Sequence, residues 1–392
     1  MQAERNRRTV VVVGGGVFGL TAAIELRRRG WFVRLFDPAT PPNPAASSTD
    51  ISKAVRMDYG ADEFYTELAE KAIARWREWN VLFRETVYHE VGFLLLTPSP
   101  MAPGGFERDG FDLLRKRGVE TQRIERDDLR RRFPAWNADA YVDGYFNPHA
   151  GWTPSGRVIS LLADRARAEG VRIHGARVIE LRGTDSRVSG VATEGGATFS
   201  ADFVLVAAGA WTTTLVHELS DLIWATGQPV LHFAPSEPEI FRPESFPVWG
   251  ADISRTGWYG FPITASGVLK VANHGPGRRV EPSEPLSVSE QDVERCREFF
   301  LGTFNGLSDA PLVGSRLCLY CDTPDGDFWI DHHPRREGLI VAAGGSGHGF
   351  KFAPVLGEII ADVVERRPNR WAGRFRWRSP REGGADGARH RG

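Results

Sequence analysis

Residues 9–19, TVVVVGGGVFG, restrict this chain more than any other stretch. Thr9 to Val13 is β-branched and apolar, the composition of a strand buried on both faces. It runs into Gly14, Gly16 and Gly19 in the pattern G-x-G-x-x-G. Leu20 to Arg29 is helix-prone and stops at Gly30, a natural C-cap position. A second strand over Trp31 to Phe36 ends at Asp37, and Pro38 forbids its continuation. Strand, glycine turn, helix and strand with an acidic end are the parts of a dinucleotide-binding βαβ unit. Gly14 allows the tight turn, Gly16 lets a pyrophosphate approach the backbone, and Gly19 permits close helix–strand packing. Backbone N–H groups at the helix start, with Val17 and Phe18 beside them, hold the diphosphate with the helix dipole behind. Asp37 is placed to accept the ribose hydroxyls. The plain alternative is a structural βαβ turn, and the fingerprint does not choose between NAD and FAD.

The rest of the chain reads as an α/β protein. Helices are predicted over Asp62 to Asn80, a short stretch from Gly110 to Gly118, Ser155 to Glu169, Glu290 to Phe300 and Pro354 to Val364. Strands are predicted over Val171 to His174, in a β-meander to Phe199, over Phe203 to Ala207 and over Leu339 to Ala343. Residues 81–150 outside the short helix read as strands and loops, and 221–320 as a second, largely β sheet. After Arg367 apolar residues become sparse, so the last stretch is expected to be disordered. Lys plus Arg (49) nearly balances Asp plus Glu (50), leaving no positive field for a polyanion, so nucleic acid is not expected as a partner. Three cysteines in 392 residues are no disulfide framework, and the N-terminal apolar run is broken by glycines after five residues. No apolar run is long enough for a membrane helix, and a cytoplasmic location is expected. Only five of the 49 basic residues are lysines, which makes each of them worth following.

Four later blocks sharpen the reading: FVLVAAGAW, YGFPITASGVLK, CLYCDTPDGDFWIDHHP and GGSGHGFKF. With GGGVFG they resemble the flavin-dependent amine oxidases of the monomeric sarcosine oxidase type, which include fructosyl-amino acid oxidases, over about residues 9 to 366. The 33-residue step from Cys318 to Lys351 and the 11-residue step from Tyr259 to Lys270 match that family's spacing. The resemblance implies a glutathione-reductase-like FAD-binding domain from residues 1–60, 150–220 and 315–366. It implies a mixed-sheet substrate domain from 61–149 and 221–314, with 367–392 left as a disordered tail.

By the same resemblance Cys318 is the thiol that tethers FAD, and Lys270 stands beside the flavin to activate oxygen. A fixed cation there stabilises the anion that develops as oxygen accepts an electron; the plain alternative is a surface lysine on a strand. His274, four residues on, shares its strand face, and with Tyr259 it is a positioning group. Arg56 and Lys351 correspond to the two cations that grip the substrate carboxylate, with Lys53 beside them. Gly345, Gly347, His348, Gly349 and Lys351 bring backbone N–H groups and a helix start to the electron-rich end of the flavin. Cys318 and Cys321 also form a C-x-x-C pair, but zinc needs four ligands and no second pair exists; an inert buried thiol is the other reading. Cys321 carries no assignment. Trp258 and Trp329 are explained equally by pocket lining and by core packing.

One departure bears on substrate. Sarcosine oxidases carry Arg where this chain has Lys53, and the D-x-x-K context in STDISKAVR is closer to the fructosyl-amino acid oxidases. The implied reaction is oxidation of a secondary amine in a bulky N-substituted α-amino acid, such as a fructosyl or opine-like one, to an imine and hydrogen peroxide, with O2 as co-substrate. A monomer is expected. Two alternatives remain: a dehydrogenase or imine-forming biosynthetic enzyme with a non-oxygen acceptor, and a flavin-binding protein without turnover.

Overall fold

The computed structural model describes residues 7–379 and Arg389. Thr9–Val13 is an inner strand of a six-stranded sheet, ordered Trp329–His332, Leu339–Ala343, Phe203–Val206, Thr9–Val13, Phe32–Asp37, Arg172–Gly175. Five strands are parallel and the edge strand Trp329–His332 is antiparallel. The run of valines is explained by the two layers that cover it. Val10 and Val12 face the helices Val17–Arg28, Ser155–Ala168 and Ala353–Val364. Val11 and Val13 face an antiparallel meander of Val178–Thr184, Arg187–Thr193 and Thr198–Ser200. A strand buried on both sides has no polar face to alternate with.

Two glycines make the first turn possible. Gly14 sits at φ +109°, and a Cβ there would stand 2.3 Å from the Ala207 carbonyl oxygen. A Cβ on Gly19 would stand 1.9 Å from the Gly14 carbonyl oxygen. The first helix begins at Val17, earlier than the apolar pattern from Leu20 suggests, because Gly16 in extended conformation serves as its N-cap.

A nine-stranded mixed sheet forms the second layer system. Its long strand Trp224–Phe233 pairs antiparallel with Leu312–Asp322 on one side and Leu269–Asn273 on the other. The register sets Cys318 opposite Gln228, Arg316 opposite Val230 and Lys270 opposite His232. With a side-chain period of two, Arg316, Cys318, Tyr320, His232 and Lys270 therefore share one face. The helix Glu290–Thr303 opens with a capping box between Ser289 and Asp292, and it buries Cys296 and Phe300 against Phe233. Two helices here were not anticipated: the four-residue Ile253–Thr256, and Arg126–Arg132, RDDLRRR, which has too few apolar residues to show a period and whose acidic start and basic end match the helix dipole. Residue 315, expected as a domain boundary, falls inside the strand Leu312–Asp322.

The expected disordered tail does not begin at 367. Residues 367–379 pack onto the hairpin that carries DTPDGDFWID, and a short helix forms over Ala372–Phe375. Trp371 and Phe375 are buried, and Trp377 meets Trp329 edge-on. Arg374 reaches Asp327 at 2.9 Å and Asp62 at 2.7 Å, and Arg378 holds Asp325 at 2.7 Å. Arg389 holds Asp322 through two 2.6 Å contacts. Averaged composition hides this complementarity, since a few aromatic anchors and forked Arg–carboxylate pairs are enough to order a short segment. Residues 380–388 and 390–392 of the expected tail lie outside the described residues. Among the described residues no helix is long and apolar enough to cross a membrane.

Arg374→Ala strips the partner from two carboxylates at once and should cost about 3–5 kcal/mol. Urea unfolding measures this, and Arg374→Lys should recover only part of the loss, because a point charge cannot fork to both partners.

Candidate active site

The carboxyl ends of the parallel strands open onto a cavity of about 550 Å³. Gly14, Gly16, Val17, Phe18 and Asp37 line one end, and Lys53, Tyr320, Cys321, Gly345, Gly347 and Gly349 the other. The first turn of the helix Val17–Arg28 contains no acidic side chain to compete for its N-terminal dipole. Asp37 is buried at the strand end; its Oδ2 accepts from the Gly15 N–H at 2.7 Å, and its Oδ1 accepts from Ala39 N and Asn43 Nδ2. A carboxylate has about four acceptor positions, so capacity remains for a ribose hydroxyl. An elongated, glycine-lined trough from an acidic strand end to a cluster of cations fits an extended dinucleotide such as FAD.

A second cavity of about 50 Å³ shares Lys53, Tyr320, Gly347 and Phe350 with the first. Arg56, Lys351, Tyr259, His274, His348, Phe93 and Ile253 complete its wall. Arg56 is buried, donates to the Asp58 carbonyl, and stacks over the rings of Tyr59 and Phe93. Lys351 Nζ donates to Tyr59 Oη at 2.8 Å, and Tyr59 Oη lies 3.0 Å from His348 Nδ1. The far nitrogen of His348, Nε2, is 3.0 Å from the Gly326 carbonyl oxygen. Burial pushes the Asp58 carboxyl up even though Arg56 opposes it. Two cations thus stand over aromatic faces on one side of the small cavity, an arrangement that takes a carboxylate.

On the opposite side Lys270 is fully buried. Its ammonium donates to Asp50 Oδ2 and to the Ser52 carbonyl, both at 2.6 Å, and lies 4.7 Å from the Phe261 ring centre. Burial lowers its pKa to about 8, with Asp50 resisting that shift. Lys53 Nζ lies 3.6 Å from the same Asp50 oxygen and 3.5 Å from Cys318 Sγ. Burial works against the Lys53 charge too, but the Cys318 sulfur and Asp50 outweigh it and raise its pKa. Burial resists ionisation of Asp50, yet Lys270, His232 and Lys53 together hold it well below the ordinary range. Burial raises the pKa of both Tyr259 and Tyr320, so both stay protonated at neutral pH.

The structure gathers most of the residues singled out from sequence. Arg56, Lys53, Lys351, Tyr259, His274 and His348 line the small cavity, and the glycines other than Gly19 line the large one. Gly19 works through packing alone, and Lys270 stands behind the cavity walls. Cys318 is buried beside Lys53, whereas Cys321 lines the large cavity and its sulfur accepts from the Gly344 N–H at 3.4 Å. Trp258 stacks on Phe299, and Trp329 is wholly buried; both belong to the core. Three residues carried no site assignment, Ser48, which accepts from the Val17 N–H, Tyr59 and Tyr320, and Asp50 entered only as part of the D-x-x-K segment, without its contact to Lys270. Tyr320 was within reach, being two residues from Cys318 on a strand and hence on its face.

Comparison with known proteins agrees with this geometry. Residues 9–363 match the family model described as FAD dependent oxidoreductase. Monomeric sarcosine oxidase from Bacillus sp. is 25% identical over 360 residues, 91% of each chain. L-saccharopine oxidase from Schizosaccharomyces pombe is 27% identical over 95% of this chain and 93% of its own. The solved fructosyl amine: oxygen oxidoreductase, Amadoriase I, from Aspergillus fumigatus superposes with a TM-score of 0.80 at 25% identity, covering 98% of this chain and 94% of its own. The chain belongs to the FAD dependent oxidoreductase family.

Proposed function

We propose that this protein oxidises the secondary amine of an N-substituted α-amino acid to an imine and reduces dioxygen to hydrogen peroxide. The observation that carries this reading is the pairing of Arg56 and Lys351 in a small cavity that shares a wall with the dinucleotide trough. Bound FAD would supply a two-electron acceptor for the amine C–H and a donor to oxygen. The protein supplies everything else.

Arg56 and Lys351 bind the substrate carboxylate; taken out of water, that charge needs both partners. Tyr259, on the strand Trp258–Gly260, and His274, one residue past the end of the strand Leu269–Asn273 that pairs with it, line the cavity and orient the amine toward the trough. An amine entering neutral needs no strong base, and among the described residues that line the cavity none is a carboxylate. The amine loses two electrons and two protons, and dioxygen gains two of each. Lys270, held charged by Asp50, stabilises the negative charge that builds on oxygen. Cys318, on the sheet face that Lys53 covers, is the thiol for a covalent tether to the flavin. The small cavity, of about 50 Å³, holds only the reacting end of a substrate, so a bulky N-substituent extends beyond it. The D-x-x-K segment favours such substituents over sarcosine, and the relatives include some named for saccharopine and fructosyl amine beside those named for sarcosine.

A peroxide-coupled screen of N-methyl, N-fructosyl and opine-type amino acids tests the reaction. One peroxide should appear per oxygen consumed, with kcat/KM higher for the larger substituents. Reduction of an artificial dye without peroxide would assign electrons to another acceptor. Arg56→Ala should raise KM by about 100-fold or more, the equivalent of losing a charged partner, and steady-state kinetics measures it. Acid precipitation should leave a yellow pellet that Cys318→Ser turns colourless and Cys321→Ser does not.

A further inference from the structure

The oxygen-side lysine is not an isolated cation. Asp50 Oδ2 is shared by two ammoniums, at 2.6 Å from the buried Lys270 and 3.6 Å from the part-buried Lys53. The Asp50 side chain is 1% exposed, and its main chain is anchored independently. The Asp50 carbonyl accepts from Ser155 Oγ at 3.1 Å and Gly156 N at 2.9 Å, at the start of the helix Ser155–Ala168. The carboxylate is therefore held rigidly by one layer while it aims side chains carried by two others. Lys270 spends two of its three N–H bonds on Asp50 and Ser52. Without Asp50, the buried Lys270 and the part-buried Lys53 would face each other with no carboxylate between them, and the cheapest response is loss of a proton.

We propose that Asp50 is a positioning residue for the oxygen half-reaction, one that aims Lys270, keeps it protonated and couples it to Lys53. This rests on the amine oxidase reading above. The other groups facing the pair are His232 from Trp224–Phe233, Cys318 and Arg316 from Leu312–Asp322, and Tyr259 from Trp258–Gly260. His232 Nε2 is 3.8 Å from Asp50 Oδ1, beyond hydrogen-bond reach, and Arg316 is engaged by the Thr49 and Ala46 carbonyls. Neither replaces the Asp50 contact. The sign follows directly: Asp50 raises the Lys270 pKa, so its loss moves the charged-to-neutral change of Lys270 to lower pH.

The test uses FAD-loaded protein as wild type, Asp50→Asn and Asp50→Glu. The visible spectrum of the oxidised flavin is titrated with pH to follow the ionisation beside the ring. The wild-type midpoint should lie near 8, and in Asp50→Asn it should fall by at least about one pH unit, with Asp50→Glu restoring it. Rapid-mixing reoxidation of the reduced protein by oxygen should be slowed in Asp50→Asn by about tenfold more at pH 8.5 than at pH 6.5. Anaerobic reduction by substrate should show no such pH-dependent gap. A uniform loss across pH in both half-reactions, an unmoved midpoint, or a midpoint that His232→Gln moves instead overturns the assignment. If wild type reduces no oxygen, the oxidase reading fails while the spectral titration still decides the role of Asp50.

Discussion

Three buried cations, Arg56, Lys270 and Lys351, and the part-buried Lys53 gather around the place where two cavities meet, and a charge taken out of water has to be met by a partner or be lost. That requirement organises the surrounding structure. Asp50 stands between Lys270 and Lys53, the Asp58 carbonyl and two aromatic rings hold Arg56, and Tyr59 carries Lys351. Apart from the Phe93 ring, each of these partners comes from the segment 50–59. The same short segment thus supplies Lys53 and Arg56 and the groups that make the other two lysines tolerable.

The two sheets divide the labour. The parallel sheet places its carboxyl ends, the first helix N-terminus and the GGSGHG turn around one elongated trough. The nine-stranded sheet presents Cys318, Tyr320, Tyr259 and Lys270 from its paired strands on one face. Close approach at the joint depends on absent side chains: a Cβ on Gly347 would stand 2.2 Å from the Tyr320 ring. The C-terminal segment adds a clamp, since Arg374, Arg378 and Arg389 each hold an aspartate of the strand and turn that follow Cys318. The hairpin that would bear a tether is thereby braced from outside as well as paired within the sheet.

Legibility in the sequence followed the range of the interaction. The βαβ unit and the strand Leu339–Ala343 rest on local pattern, and they stand where their residues predict. The helix Arg126–Arg132 was missed because its seven residues carry one apolar side chain, Leu129, and hence no period. The order of residues 367–379 was missed because its cause lies some 50 residues upstream, in the carboxylates of Asp325 and Asp327. The pairing of Asp50 with Lys270, and Tyr59 altogether, were missed for a related reason. Nothing in their own neighbourhood announces that a lysine 220 or 292 residues later will need them.

By itself the sequence determined the glycine turn, the buried parallel strand and the residues able to carry the chemistry, because each depends on sterics or functional groups within a few positions. Tertiary structure alone decided which carboxylate meets which lysine, which cysteine lies against Lys53 and which against the trough, and that the C-terminal arginines close over the hairpin. Those outcomes depend on sheet register and on charge pairing across hundreds of residues, and neither is encoded in any local window.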